Sequence, residues 1–204
     1  MIAVIDYGIG NVRSVINALE HVGASATLTR DPVKLRAADA LVLPGVGAFG
    51  EGMRRLATHG LTEPLRELVL AGRPLLGICL GFQMLMRSSN EMGKHAGLGL
   101  IDADVVRLPV DARLPHIGWA PVHATASPSA PRLLKGLEGA RFYFVHSYGV
   151  IGSTFTFAAG IAECDGLPFA ALAESGRVFG TQFHPEKSGE AGLTMLRNFM
   201  DVCT

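Results

Sequence analysis

The stretch Pro74-Leu75-Leu76-Gly77-Ile78-Cys79-Leu80-Gly81-Phe82-Gln83 decides the fold. Residues 74–78 form a short uncharged apolar run, and residues 80–87 follow it at helical spacing. An apolar run passing through a glycine-flanked turn into a helix is the unit from which parallel sheets are built. The same alternation extends toward the N-terminus. Residues 2–6, 24–29 and 40–43 predict strands, and residues 11–22, 32–37, 49–58 and 61–71 predict helices. Val12, Val15, Ile16, Leu19 and Val22 share one face of the first of these helices. Strands that are apolar without alternation are buried on both faces. The expected fold is therefore α/β, an open, mostly parallel sheet with helices on both faces. The second half changes character. Residues 104–108, 120–124, 141–145, 154–163, 169–174 and 178–183 predict strands with few helices between them, as added hairpins or an extended sheet. Residues 189–202 predict a closing amphipathic helix with Leu193, Leu196, Phe199 and Met200 in one stripe. Residues 124–131, rich in Ala, Ser and Pro, predict a loop rather than a linker, so residues 1–204 read as one domain.

Composition narrows the function classes. The 18 Lys and Arg balance the 18 Asp and Glu, which argues against a nucleic-acid binder held by a broad basic field. Only 18% of residues are charged against 49% hydrophobic, a greasy balance that points to a buried partner surface. No apolar run approaches the ~18–20 residues of a membrane span. Met1-Ile2-Ala3-Val4-Ile5-Asp6 turns polar too early for a signal peptide and reads as a first strand. Cys79, Cys164 and Cys203 form neither a disulfide framework nor a paired zinc pattern, and a reducing cytoplasm is the expected compartment.

Gly77-Ile78-Cys79-Leu80-Gly81 carries the chemistry. A nucleophile on a sharp strand-to-helix turn needs small neighbours, as in the G-x-S-x-G elbow, and here Cys replaces Ser. The positive end of a helix favours the thiolate, the reactive form. The plainer alternative is a small buried thiol that only packs. A base is available in His184-Pro185-Glu186, after the predicted strand 178–183. Glu186 stands two residues from His184, where it can orient one ring nitrogen and aim the other at Cys79. His-x-Glu is also half of a metal site, but no third ligand stands at useful spacing, and it is equally open to being an accident of the loop. Pro44-Gly45-Val46-Gly47-Ala48-Phe49-Gly50 contains the G-x-G-x-x-G of dinucleotide folds. The acidic residue that fingerprint needs ~20 residues on falls in a helix. The segment reads better as a glycine loop whose N–H groups face Cys79 as an oxyanion hole. Asn11 or Ser14 is placed to cap the first helix. Trp119, beside Gly118, is a core residue or an interface anchor. His146 is a second candidate base or a structural histidine, and His21, His59, His95 and His123 read as surface residues.

With Gly-Ile-Cys-Leu-Gly at 77–81 and His-Pro-Glu at 184–186, the sequence resembles the class I, triad-type glutamine amidotransferases. Residues 11–15, 44–50, Pro115-His116-Ile117-Gly118-Trp119, 142–148 and 180–188 are similar to the glutaminase subunits of imidazole glycerol phosphate synthases, along the whole chain. The resemblance implies a flavodoxin-like sheet with added antiparallel strands. It implies hydrolysis of L-glutamine to L-glutamate and ammonia through a cysteinyl thioester. The ammonia would be channelled to a (β/α)₈-barrel cyclase in a heterodimer, to make imidazole glycerol phosphate and an aminoimidazole carboxamide ribotide. By the same resemblance Cys79 is the nucleophile, His184 the acid and base, and Glu186 its orienter. The N–H groups of Leu80 and of the Val46 and Gly47 loop form the oxyanion hole. Gly47, Gln83 and Ser147 hold the substrate, and Asn11, Ser14, Trp119, Tyr143 and Lys187 face the partner. No metal or organic cofactor is implied. The chain departs from the family pattern at Phe82, Ala120 and Gly149. Two other readings stay open: the glutaminase of a different biosynthetic synthase, and a catalytically silent module that only binds a partner.

Overall fold

The computed structural model describes residues 1–111, 113–126 and 129–203. Ser127 and Pro128 of the expected loop, and Thr204 at the end of the expected domain, lie outside the described residues. In the first half β1 (Ile2–Ile5), α1 (Val12–His21), β2 (Ala26–Thr29), α2 (Pro32–Ala37), β3 (Ala40–Leu43), α3 (Phe49–Thr58), α4 (Thr62–Leu70), β4 (Leu75–Ile78) and α5 (Leu80–Met84) follow the predicted alternation. The second half supplies β5 (Met86–Ser89), β6 (His95–Ala96), β7 (Ile101–Arg107), β8 (His116–Pro121), β9 (His123–Ala124), β10 (Arg141–His146), β11 (Tyr148–Gly149), β12 (Ala158–Cys164), β13 (Leu167–Ser175) and β14 (Val178–Thr181), closed by α6 (Gly189–Cys203).

The main sheet runs β2-β1-β3-β4-β14-β13-β12-β9. Its first five strands are parallel and its last three antiparallel. β2 lies at the edge with Leu28 39% exposed, and each inner parallel strand divides its residues between two cores. Ile2, Val4, Ala40, Val42, Leu76 and Ile78 pack with Val15 and Leu19 of α1 and Phe199 of α6. Ala3, Ile5, Leu41, Leu43 and Leu75 pack with Leu56 of α3, Leu65 of α4 and Leu80 of α5. That two-sided burial is why these strands show no polar alternation. The β2-β1-β3-β4-β14 order is the flavodoxin-like one, in which function gathers at the carboxyl ends of the strands. The turns after β1, β3, β4 and β14 all open on that edge.

Close packing holds the β4–α5 turn. A Cβ on Gly81 would lie 1.8 Å from the Leu43 carbonyl oxygen, a contact that backbone cannot relieve by a rotamer change. Gly81→Ala should destabilise the fold at or above the upper end of the ~1–3 kcal/mol range for overpacking, read as a lower denaturant midpoint in chemical unfolding.

Three predicted boundaries are corrected. The helix expected over 80–87 stops at Met84, and β5 begins at Met86. The Met84, Leu85 and Met86 carbonyls are taken by the N–H groups of residues 98–101, so the chain leaves the helix there. A short buried apolar run carries no period that separates helix from strand. The strand expected over 120–124 is split: β8, His116–Pro121, pairs antiparallel with β10, and β9, His123–Ala124, pairs with β12. β8 presents Ile117 and Trp119 outward at 60% and 48% exposure, so its apolar residues do not mark its core face. The strand expected over 154–163 begins only at Ala158. His95 is half-buried rather than exposed, whereas His21, His59 and His123 lie on the surface as expected.

Candidate active site

The nucleophile candidate sits where the sheet turns into α5. Cys79 has φ +55° and ψ −109°, a conformation that a non-glycine residue adopts only when its surroundings force it. Its N–H donates to the Thr181 carbonyl at 2.7 Å, tying the turn to the end of β14. Three residues further along that strand exit is His184. Its Nδ1 lies 2.7 Å from Glu186 Oε1, with both side chains 2% exposed. A carboxylate only accepts, so Nδ1 carries the proton and Nε2 is left to face the thiol. Nε2 is buried without a hydrogen-bond partner. Desolvation pulls the His184 pKa down. The interactions with Cys79, then those with Glu186, outweigh it and lift the pKa to about 9.

That elevation makes the pair visible in stability. An imidazolium favoured by the fold contributes fully below the ordinary histidine pKa of 6.5, and the contribution is lost as pH rises through about 9. Stability to denaturant should therefore decline across that window. In Cys79→Ala, which removes the larger of the raising groups, the decline should be shallower.

Cys79 and His184 border a cavity of about 440 Å³ that is also lined by Val46, Gly47, Leu80, Gln83, Glu91, Ser147 and Tyr148. The residues expected to hold substrate (Gly47, Gln83 and Ser147) are thus brought together around the thiol. Gln83 is buried, and its Nε2 donates to the Tyr148 carbonyl at 2.8 Å and to Gln182 Oε1 at 3.0 Å.

The oxyanion segment takes a definite stance. The Leu80 N–H donates to the Gly45 carbonyl at 3.3 Å. One expected oxyanion donor is therefore occupied by the segment expected to supply the other. In a trans peptide the N–H opposes the C=O, so the Val46 N–H points away from the Leu80 N–H. Gly47, at φ +100°, sits in a conformation open to glycine. Beneath the segment, the buried Tyr7 hydroxyl donates to the Pro44 carbonyl at 2.7 Å. Burial, then the charge of Cys79, push the Tyr7 pKa far above its usual value.

Of the residues expected to face a partner, Trp119, Tyr143 and Lys187 meet on one face. Tyr143 is directly opposite Trp119, and Val145 opposite Ile117, in the β8–β10 ladder, so these side chains share a face. Trp119 and Tyr143 meet edge to face at 6.1 Å, and Lys187 Nζ stands 5.8 Å over the Tyr143 ring. Trp119 is thus a surface residue and not core. Asn11 holds the N-cap position of α1 but makes no side-chain capping bond, contrary to the capping expectation. It borders a narrow gap behind His184 and Glu186 instead. Ser14 lies on the same helix, half-buried. Ala120 belongs to the core, so that departure from the family pattern does not touch the outward face.

His146, expected as a second base or a structural histidine, borders the same cavity. It is buried among Phe144, Phe169 and His116, with Nδ1 bonded to the Tyr148 carbonyl at 2.9 Å. Burial lowers its pKa to about 3 and keeps it neutral. Sequence reasoning missed Glu91 and Gln182. Glu91 reaches the cavity while accepting the Phe49 N–H at 2.6 Å at the start of α3, and no local motif marks a lone acid in a turn. Among the described residues no three His, Cys, Asp or Glu side chains gather as a metal site. No helix among them is long and apolar enough to cross a membrane.

Comparison with known proteins agrees with this geometry. The class I glutamine amidotransferase family model matches residues 3–203. The imidazole glycerol phosphate synthase subunit HisH of Methanothermobacter thermautotrophicus is 48% identical over 99% of this chain and 98% of its own length. That of Moorella thermoacetica is 45% identical over 98% and 94%. A solved glutamine amidotransferase superposes with a TM-score of 0.74 at 20% identity, covering 98% of each chain.

Proposed function

As the chain belongs to the class I glutamine amidotransferases and, within them, to the HisH subunits of imidazole glycerol phosphate synthase, we propose that it releases ammonia from L-glutamine at Cys79. The observation that carries this is the Cys79 elbow standing against the His184–Glu186 pair at one mouth of the cavity. The Cys79 thiolate attacks the side-chain amide carbon of glutamine. The tetrahedral adduct collapses to a glutamyl thioester, and the His184 imidazolium gives its proton to the departing ammonia. Neutral His184 then draws a proton from water, whose oxygen displaces the thiolate and yields glutamate. Glu186 holds Nδ1 and stabilises the charged ring in both steps. Glu91 offers a carboxylate to the substrate ammonium at the far side of the cavity, and Gln83 and the backbone at Ser147 hold its polar end.

The oxyanion hole is completed only after the Gly45–Val46 peptide turns. With its carbonyl on the Leu80 N–H, this segment blocks one donor and withdraws the other. The turned peptide would place the N–H of Val46, with Gly47 beside it, next to that of Leu80. The partner is a (β/α)₈-barrel cyclase that takes up the ammonia and makes imidazole glycerol phosphate and the aminoimidazole carboxamide ribotide. Ile117, Trp119, Tyr143 and Lys187 form the face that meets it, with Asn11 and Ser14 at its margin. Three free cysteines suit a reducing cytoplasm.

The test is glutamate release from glutamine by the chain with and without a co-purified cyclase; no release in either state contradicts the reading. Within it, Glu186→Gln should lower turnover by less than Cys79→Ala, because the thiol and the His184 ring remain. Equal and complete loss in a folded variant would give Glu186 a more direct part in the chemistry.

A further inference from the structure

The carboxyl end of β14 does more to the thiol than deliver a base. Three of the four residues 181–184 address Cys79. Thr181 takes its N–H. Gln182 Nε2 lies 3.9 Å from its sulfur, within reach of an N–H···S hydrogen bond. His184 faces it with Nε2. Gln182 is wholly buried, and its own backbone N–H is spent on the Ala171 carbonyl at 2.8 Å. Its side chain alone faces the site.

The orientation of that amide follows from one fixed point. The Tyr148 carbonyl can only accept, so the Gln83 group 2.8 Å from it is the NH₂. The same nitrogen faces Gln182 at 3.0 Å and needs an acceptor, so Gln182 presents its oxygen there. The Gln182 NH₂ is then turned to Cys79. The chain of donors runs from the sulfur through Gln182 and Gln83 to the backbone of β11, with no free choice of amide rotation. We propose that Gln182 is a positioning residue of this site, donating to the reacting sulfur and coupling its placement to the substrate-holding Gln83. This rests on the reading of Cys79 as the nucleophile. It adds a thiolate donor outside the triad, and a mechanical link by which a glutamine seated on Gln83 tightens the grip on the sulfur.

The test uses the chain in complex with its synthase partner, as wild type, Gln182→Met and Gln182→Glu. Methionine matches the length and removes the donor. Glutamate keeps the shape and sets an oxygen against the thiolate. Alkylation of Cys79 by iodoacetamide, followed by peptide mass spectrometry to separate it from Cys164 and Cys203, should slow about tenfold at neutral pH in Gln182→Met, the loss of one hydrogen bond to a charged group. Its rise with pH should move to higher pH, and further in Gln182→Glu. KM for glutamine should increase with Gln182→Met as Gln83 loosens, while ammonia-dependent synthesis by the partner is unchanged. On the wild type itself, the Gln182 side-chain NH₂ resonances should shift as the Cys79 thiol ionises. This keeps the proposal exposed to refutation if neither variant folds. A wild-type pH profile of alkylation in either folded variant, or Gln182 resonances indifferent to the state of Cys79, overturns it. A wild type that alkylates normally but releases no glutamate overturns the glutaminase reading instead, and Gln182 then stands or falls on the alkylation profile alone.

Discussion

Replacing Cys79 with alanine should abolish glutamine-dependent synthesis by the assembled enzyme, while ammonia supplied in solution still supports it. The substitution removes the only atom placed to attack the amide. The expected loss of glutamine-dependent turnover is on the order of 10⁴-fold or more, the scale on which an essential nucleophile acts. The change is small enough to leave the fold alone. Cys79 is 7% exposed, and the turn is held by its backbone N–H on Thr181 and by the packing of Gly81, neither of which needs the sulfur. Ammonia-dependent synthesis takes place on the partner, so it reports that the complex still assembles. Product formation from glutamine at near the original rate would remove Cys79 from the mechanism. Loss of both activities would mean that the variant no longer docks.

What the sequence disclosed about this site depended on how far apart the participants lie. His184 and Glu186 are two residues apart, and the tight turn Pro185–Lys187, which starts at His184, brings them to 2.7 Å. Cys79 announced itself through flanking glycines, because an elbow leaves no room for side chains and Gly81 packs on a backbone oxygen. Gln182 stands 103 residues from Cys79 and 99 from Gln83. A lone Gln beside a motif carries no sign of what it will meet, so the amide chain was invisible before the sheet brought β4 and β14 together. The parallel half of the fold was legible because its inner strands β1, β3 and β4 are buried on both faces. In the antiparallel half β10 and β13 lie where the sequence placed strands, whereas β8 was misplaced because it wears Ile117 and Trp119 on the outside, where composition alone suggests core. Asn11 shows the reverse failure. A good capping residue stands at the cap position and leaves the N–H groups alone.

Peptide orientation is the feature that no sequence pattern carries, and the second large expectation rests on it. Glycine at 45 and 47 permits peptide rotations that other residues resist, and the structure places the Gly45 carbonyl on the Leu80 N–H. In this state a developing oxyanion would meet a carbonyl oxygen where it needs donors. One missing oxyanion donor is worth roughly 100–1,000-fold in rate, so the free chain should be a poor glutaminase. The face proposed to meet the partner is connected to the site by short steps. Lys187 stacks on Tyr143 beside Trp119, and it follows Glu186 directly in the turn that carries the base. Val46 itself is 40% exposed at the cavity mouth, within reach of a docking surface. A partner that binds the turned-in peptide more tightly than the turned-out one shifts the population by that difference and no more. Glutamine would then be hydrolysed only where its ammonia has an acceptor.

The most direct test is glutaminase turnover at saturating glutamine, measured for the isolated chain, for the chain with its cyclase, and for that complex with the cyclase's ligand bound. The account predicts a slow isolated chain and a rise of roughly 100–1,000-fold in the liganded complex, with the same Cys79 required throughout. An isolated chain that already hydrolyses glutamine as fast as the liganded complex would contradict it, and the Gly45 carbonyl would then be no barrier to catalysis.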